Sequence, residues 1–198
     1  MVRVMNGLYA LKPWYAARLG GLRQTLVTHR VPPAALTIGG VAFGALAGVG
    51  LAVLPAGPVA AATVGLLLAA RLACANLDGG VARDSGRSTR FGTVVNELGD
   101  RLAEFAVLAG ALALAPPAVV GLTALAATAP SWVSLAGAAA GAARVQGGPV
   151  GKTERCLILV AIAATGWATP LLLVLAAGSA LTAAMRLRRV HSLLARQS

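Results

Sequence analysis

Three long stretches without a charged residue constrain the fold of this chain more than any other feature. They cover residues 31–70, 105–143 and 156–185. A transmembrane helix needs roughly 20 apolar residues, so the first two stretches are too long for one span each and predict helical hairpins. Only 12% of the residues are charged, and the mean hydropathy is +0.78, which excludes an ordinary soluble domain.

Proline and glycine residues lie where these hairpins would turn. Pro55 and Pro58 interrupt the first stretch, the pair at 116–117 interrupts the second, and Gly166 and Pro170 flank a break in the third. The third stretch is the shortest, so its two helices must continue into the flanking basic residues. A single kinked helix there, giving five spans in total, is the alternative.

The placement of charge favours six spans over five. All 17 Lys and Arg residues lie within residues 1–30, 71–104 and 144–155 or after residue 185, and the predicted hairpin tips carry no charge. Six spans place every basic residue on one side, as the positive-inside rule requires. We therefore predict that both termini and the charged face are cytoplasmic, in a bacterial cytoplasmic membrane.

The segment 6–30 has the leucine spacing of an amphipathic helix lying in the membrane interface. The predicted fold class is thus an all-α integral membrane protein, a single domain over residues 1–198, with an N-terminal interfacial helix and six transmembrane helices. The net charge of +11 is explained by basic residues flanking the spans, without nucleic acid. The predicted spans are about 34–54, 58–77, 92–114, 118–143, 152–167 and 169–188.

Polar side chains gather between residues 74 and 104. Asp78 ends the second predicted span, and Asn96 and Asp100 lie four apart, on one face, at the start of the third. Carboxylates at membrane depth are costly and are typical of functional sites. Oxygen ligands on two adjoining helices suit a hard cation such as Mg²⁺ or Mn²⁺, and such a cation would let a diphosphate approach.

This stretch resembles the signature of the CDP-alcohol phosphatidyltransferase family. The signature has an Asp, two residues, Asp-Gly, two residues, Ala-Arg, about eight residues, Gly, three residues, Asp, three residues and a final Asp. The family's architecture, an interfacial helix followed by six spans, agrees with the topology predicted here. The positions that match at the family's spacing are Asp78-Gly79, Ala82-Arg83, Gly92 and Asp100.

The resemblance implies a role for each matching residue. In the family the first three acids hold metal ions and the fourth is the general base, so Asp100 is the expected catalytic base. Asp78 is the expected metal ligand, with contributions from Asn96 and Glu97. The residues expected to lie against the nucleotide are Gly79, Ala82, Arg83 and Gly92.

Two signature acids are replaced in this chain. The first falls on Ala75 and the third on Asn96. Affinity for divalent ions falls with ligand charge. Three outcomes follow: the site holds one ion instead of two, it recruits another acid, or it is inactive.

Basic residues after the fourth predicted span match the region where many family members face the acceptor. Arg144, Lys152 and Arg155 are therefore expected to bind an anionic acceptor such as a phosphorylated polyol. The positive-inside rule explains the same residues without a ligand. Within the third predicted span, Glu97 and Arg101 have the spacing of a structural ion pair.

The resemblance implies an enzyme of phospholipid biosynthesis. It would move a phosphatidyl group from a CDP-linked lipid, such as CDP-diacylglycerol, to an alcohol and release CMP, with Mg²⁺ or Mn²⁺ as cofactor. Its expected partners are the lipid donor, a small alcohol, membrane lipid and a second copy in a homodimer. The alternative is a non-catalytic homologue that acts as a lipid- or nucleotide-binding partner subunit.

Overall fold

Residues 17–196 are described by a computed structural model. In that range the elements are helical and no strand occurs, which confirms the all-α prediction. The α helices are α1 Gly20–Thr28, α2 Pro33–Val53, α3 Pro58–Asp84, α4 Arg90–Gly110, α5 Pro117–Ala139, α6 Lys152–Thr165 and α7 Ala168–Leu194, with a 3-10 turn Ala111–Ala113 after α4.

The helix ends lie at the breakers seen in the sequence. Pro33, Pro58 and Pro117 each occupy the first turn of a helix, where the missing N–H of proline has no intrahelical partner to lose. Gly166 ends α6 with a left-handed φ of 74°, a conformation that glycine adopts without steric cost. The third uncharged stretch therefore contains two helices and not one kinked helix.

Four of these helices, α2, α3, α5 and α7, are long and apolar enough to cross a membrane. The other two long segments differ in charge and length: α4 carries several ionisable side chains, and α6 has only 14 residues. Large apolar side chains such as Leu66 and Val59 are more than 70% exposed. An apolar exterior on apolar helices is typical of a protein surrounded by lipid.

The N-terminal part of the predicted interfacial helix lies outside the described residues. Its described part contains α1, which packs against α3. Arg23 Nε of α1 lies 2.8 Å from Asp84 Oδ2 at the end of α3. This contact places α1 at the same end of the bundle as the end of α3.

The helices form two groups. In the first, α2 lies against both α3 and α4; in the second, α5 pairs with α7; and α6 packs on α3 to join the groups. At the crossing of α2 and α4, a Cβ added to Gly48 would overlap the carbonyl of Ala106. Small residues allow this close approach of two backbones, which also brings Thr37 of α2 against Gly99 of α4.

The segment between α5 and α6 is fastened to α7. The Val150 N–H donates to Thr182 Oγ1 at 3.0 Å, and Arg186 donates to the carbonyl oxygens of Gly147 and Pro130, both at 2.9 Å. The bonds to Val150 and Gly147 satisfy backbone groups that lie outside the helices. They also fix where Lys152, the first residue of α6, enters the bundle.

Candidate active site

Asp78 is held rigidly near the end of α3. It is 4% exposed, its Oδ1 accepts from the N–H of Gly79 at 2.6 Å, and its Oδ2 accepts from Thr37 Oγ1 of α2 at 3.2 Å. Two donors stabilise a buried carboxylate without neutralising it. Asp78 therefore brings a fixed negative charge into the interior.

Asp100 lies on α4 and is paired with a lysine. Its Oδ2 is 2.5 Å from Nζ of Lys152, and both side chains are partly buried. Its Oδ1 accepts no hydrogen bond from the described residues. One oxygen of Asp100 is thus engaged by a cation and the other is open.

Arg71 is a site residue that the sequence analysis treated only as the end of an uncharged stretch. It is 3% exposed, and its Nη2 donates to the backbone carbonyl of Asp100 at 3.3 Å. Its Nη1 reaches only Cys156 Sγ, at 3.8 Å, and its Nε has no hydrogen-bond partner within residues 17–196. The available signal was spacing: Arg71 precedes Asp78 by seven positions, about two turns, and so lies on the same face of α3.

These three charged side chains line one partly open cavity between α2, α3 and α4. Asn96 and Ala75, at the positions of the two missing signature acids, line it as well. The amide of Asn96 brings a neutral oxygen, and Ala75 brings only a methyl group. The remaining lining residues are Leu36, Thr37, Gly40, Gly99 and Ala103.

The donors of this cavity limit how many metal ions it suits. Carboxylate and amide oxygens are the ligands that Mg²⁺ and Mn²⁺ prefer, but only Asp78 and Asp100 are charged, and Asp100 already binds Lys152. No group of three His, Cys, Asp or Glu side chains that could hold a metal occurs in the described part of the chain. These oxygen ligands suit one divalent ion, whose remaining ligands would be water or substrate oxygens. They do not suit a pair of ions.

The other predicted ligands lie around the cavity without lining it. Glu97 accepts from Arg144 at 2.5 Å, so its role as a metal ligand remains a prediction. Gly79 contacts the side chain of Arg83, which is exposed at the end of α3. Gly92 N–H donates to Thr89 Oγ1 at 2.9 Å and so belongs to the N-terminal cap of α4, while Ala82 is half-buried on α3.

A buried ion-pair cluster adjoins the cavity on the far side of Arg71. Glu104 binds Arg101 through Oε2 at 2.6 Å and Arg155 through Oε1 at 2.5 Å. The pairing of Glu97 with Arg101 expected from their spacing is wrong, because the fold offers each side chain a closer partner. Arg155 is only 6% exposed and is thereby engaged structurally, whereas the Arg144 side chain is 41% exposed.

A second, partly open cavity lies beside this cluster and shares Arg71 with the first. Its charged lining consists of Arg71, Glu104 and Arg155, and its other walls are Cys156 and apolar side chains. Both cysteines of the chain are free. The lining of this second cavity therefore carries more positive charge from arginine than negative charge from carboxylates.

Carboxylates from two helices thus face one cavity among apolar helices. The model of the CDP-alcohol phosphatidyltransferase family matches residues 30–186, and the chain belongs to that family. Its members are transferases of phospholipid synthesis. This confirms the family suggested by the motif and the class of reaction that followed from it.

Two other proteins, one of them in two structures, are similar to this chain. It is 29% identical over 153 residues to the inner membrane protein YnbA of Escherichia coli (strain K12), covering 76% of each chain. The phosphatidylinositol phosphate synthase PgsA1 of Mycobacterium tuberculosis, solved with CDP-DAG bound, has the same fold with a TM-score of 0.66 and 23% identity, covering 86% of this chain and 92% of the synthase. The same synthase in complex with manganese and citrate gives a TM-score of 0.64 and 22% identity, covering 86% and 87%.

Proposed function

We propose that the cavity between α2, α3 and α4 binds the diphosphate of a CDP-linked lipid, with CDP-diacylglycerol as donor, and transfers its phosphatidyl group to an alcohol. The observation that carries this proposal is that Asp78 and Asp100, on different helices, line one cavity together with Arg71. Packing alone does not account for two carboxylates and a guanidinium buried among apolar helices.

Asp100 acts as the general base in this proposal. Its open Oδ1 takes the proton of the acceptor hydroxyl as that oxygen forms a bond to the lipid-bearing phosphorus. The bond from this phosphorus to the CMP oxygen breaks, and CMP leaves with the electron pair. Asp100 sits on a helix whose backbone is fixed by Arg71, so the carboxylate is oriented before substrate arrives.

The predicted cofactor is one Mg²⁺ or Mn²⁺ held by Asp78 and Asn96, with Glu97 as the further predicted ligand. Such an ion would offset charge on the diphosphate and on the leaving CMP. Asp78 is suited to hold a cation because Gly79 and Thr37 fix both of its oxygens. The predicted nucleotide contacts, Gly79, Ala82, Arg83 and Gly92, are grouped at the end of α3 and the start of α4.

The acceptor reaches the site from the aqueous side. Of the three predicted acceptor-binding residues, Arg144 has the most exposed side chain, and Lys152 and Arg155 pair with Asp100 and Glu104. We therefore assign the first contact with an anionic acceptor to Arg144. Lys152 is then the predicted acceptor residue nearest to the reacting atoms.

We also propose that α4 and α6 cross the membrane with the four apolar helices, giving six spans with cytoplasmic termini. The ionisable side chains of α4 lie between residues 90 and 104, and its last six residues, 105–110, are uncharged. Buried ion pairs with Arg155 and Lys152 of α6 lower the cost of inserting those charges. Small-residue faces would allow two such bundles to pair as a homodimer.

The test of this function is CMP release by purified protein from CDP-diacylglycerol with Mg²⁺ or Mn²⁺, across free polyols, phosphorylated polyols and amino alcohols. Asp100→Asn should lower kcat by about 100-fold or more, because a general base contributes at least that factor. Asp78→Asn should also abolish turnover. The matched control is Asp84→Asn, since Asp84 pairs with Arg23 outside the cavity.

No CMP release with any acceptor, from folded protein that still binds CDP, would favour the partner-subunit alternative. The observation that supports this alternative is the ion pair between Lys152 and Asp100, because a carboxylate held by a lysine is less available as a base. Activity that survives Asp100→Asn would overturn the assignment of the base.

A further inference from the structure

We propose that the second cavity, whose charged lining is Arg71, Glu104 and Arg155, binds one small monovalent anion, with chloride as the expected ion. Its role is structural, because it neutralises buried arginine charge where the helices meet. The assignment does not depend on the proposed function: the diphosphate and its divalent ion belong to the first cavity.

The second cavity lies where the two groups of helices meet. Its charged residues come from α3, α4 and α6, and α5 and α7 add apolar side chains such as Ala127 and Leu175. The helix α6 is also the element that joins the groups by packing on α3. An anion held between Arg71 and Arg155 would therefore link α3 to α6.

Arg71 has donors without acceptors in this region. It is 3% exposed, and it forms no ion pair with a carboxylate in residues 17–196. Of its five N–H donors, one reaches the carbonyl of Asp100 and one the weak acceptor Cys156 Sγ, while Nε has no partner there. A buried cation in this condition is costly unless an anion accompanies it.

Glu104 cannot supply the missing negative charge. Its Oε2 lies 2.6 Å from Arg101 and its Oε1 lies 2.5 Å from Arg155, so one carboxylate already serves two guanidinium groups. Arg155 is itself only 6% exposed and makes this contact through Nε, and its other four donors lie on the terminal nitrogens. Two buried arginines thus flank a cavity with one shared carboxylate.

The carboxylates of the first cavity are engaged elsewhere. Asp100 binds Lys152 at 2.5 Å, and the two oxygens of Asp78 accept from Gly79 and Thr37. Within the described part of the chain, the positive charge of Arg71 therefore has no carboxylate in contact with it.

The lining also indicates the charge of the missing ion. Two arginines and one glutamate leave an excess of one positive charge, which a monovalent anion balances. A dianion such as phosphate would exceed this charge and would be repelled by Glu104. The other walls are Cys156 and apolar side chains, which offer no strong donors to the several oxygens of a larger anion. Chloride needs only the N–H groups of the two arginines.

The experiment measures thermal unfolding of the purified full chain in detergent, while sodium chloride replaces sodium gluconate at constant ionic strength, so that screening does not change. A ligand that binds only the folded state raises its stability by mass action. The melting temperature of the wild type should rise saturably by about 3 °C or more. Arg71→Met should shift by less than about 1 °C between the two salts.

Arg188→Met is the matched control and should keep the wild-type response. It removes an exposed arginine of α7, thirteen positions and thus about 20 Å beyond Leu175. Each comparison is made within one variant, so a change in that variant's own stability does not enter it. Equal melting temperatures of the wild type in the two salts would overturn the inference. A response that persists in Arg71→Met, or is lost in Arg188→Met, would place the ion elsewhere and would also overturn it.

A second measurement needs no variant. Crystals of the full chain grown in bromide should show an anomalous peak between the guanidinium groups of Arg71 and Arg155, since bromide has the charge of chloride and nearly its size. No peak in this cavity would contradict the inference. CMP release is a separate measurement, so the proposed function stands or falls independently of these results.

Discussion

At the scale of single residues, the site differs from the family signature because two of the signature's acids are replaced by neutral residues. Positively charged side chains lie close to the acids that remain. Ala75 and Asn96 stand where the signature has Asp, and Lys152 contacts the base Asp100 directly. The four side chains share one neighbourhood, so the loss of negative charge and the entry of a lysine form one consistent electrostatic arrangement.

Restoring the first signature acid should strengthen metal binding. Ala75 lines the cavity one helical turn before Asp78, so Ala75→Asp adds a third carboxylate to the oxygen donors there. We expect Mn²⁺ affinity to rise by about tenfold or more, since ligand charge sets the affinity of such sites. Electron paramagnetic resonance of free Mn²⁺ measures it directly.

Ser88→Asp is the control for this substitution, because it adds the same charge at an exposed position outside the cavity. Equal Mn²⁺ affinity in the two variants would mean that position 75 does not face the ion-binding oxygens.

Residue patterns predicted part of this site. The predicted helix ends placed Asp78 and Asp100 at the same face of the membrane, and the resemblance to the family signature implied that they share one site. The Lys152–Asp100 pair joins residues 52 positions apart and depends on how α6 docks against the first group of helices. Residue spacing within a helix cannot predict how α6 docks, so it could not predict this pair. The pair of Glu104 with Arg155 was unpredictable for the same reason.

At the scale of elements, the site depends on the close crossing of α2 and α4. This crossing brings Thr37 of α2 against Gly99 of α4, and both residues line the cavity, where Thr37 also donates to Asp78 of α3. Helix boundaries were accessible from the sequence, since Pro33, Pro58 and Pro117 mark them chemically. The pairing of helices was not, because many Ala- and Gly-rich faces of this chain are equally suited to close contact.

Filling this crossing should destabilise the bundle. Gly48→Leu inserts a side chain where even a Cβ would meet the Ala106 backbone, so the helices must separate. We expect the apparent melting temperature in detergent to fall by about 5 °C or more, the size expected of overpacking in a protein of this length. Differential scanning fluorimetry provides the measurement.

Gly121→Leu is the matched control for Gly48→Leu. Gly121 is the fifth residue of α5, and a Cβ there meets nothing within 4 Å. Its variant should therefore melt at or above the wild-type temperature, given the better helix propensity of leucine. A Gly48→Leu protein as stable as Gly121→Leu would mean that the two helices do not cross at this point.

At the scale of the whole molecule, charge asymmetry and site placement belong together. Basic residues, the ion pairs of α4 and the cavity lie toward one end of the bundle, and the hairpin tips at the other end are uncharged. A donor with acyl chains and a charged headgroup needs both an apolar exterior and a polar cavity near the aqueous boundary. The membrane fold is therefore part of the substrate's recognition.

The proposed topology predicts the accessibility of single cysteines introduced into a cysteine-free background. Ala56→Cys lies at an exposed hairpin tip and Ser88→Cys at an exposed turn between α3 and α4. In intact bacterial cells, a membrane-impermeant maleimide should label position 56 and leave position 88 unlabelled until the cells are opened. Labelling of both from outside would contradict six spans with a cytoplasmic site.

The class of fold was predictable at this scale from hydropathy and charge alone, because a chain with three long uncharged stretches has few ways to satisfy its backbone outside apolar helices. Only four of the helices reach the length and hydropathy of a clear span. The exceptions, α4 and α6, are the helices that carry Asp100 and Lys152, so the two described helices least typical of membrane spans supply the proposed base and the lysine paired with it.

The most direct measurement is an experimental structure of the full chain with CDP-diacylglycerol bound. We predict that the diphosphate lies inside the cavity between α2, α3 and α4, with Asp78 and Asp100 on either side. A nucleotide bound elsewhere on the bundle, or Asp78 and Asp100 facing separate surroundings, would contradict it.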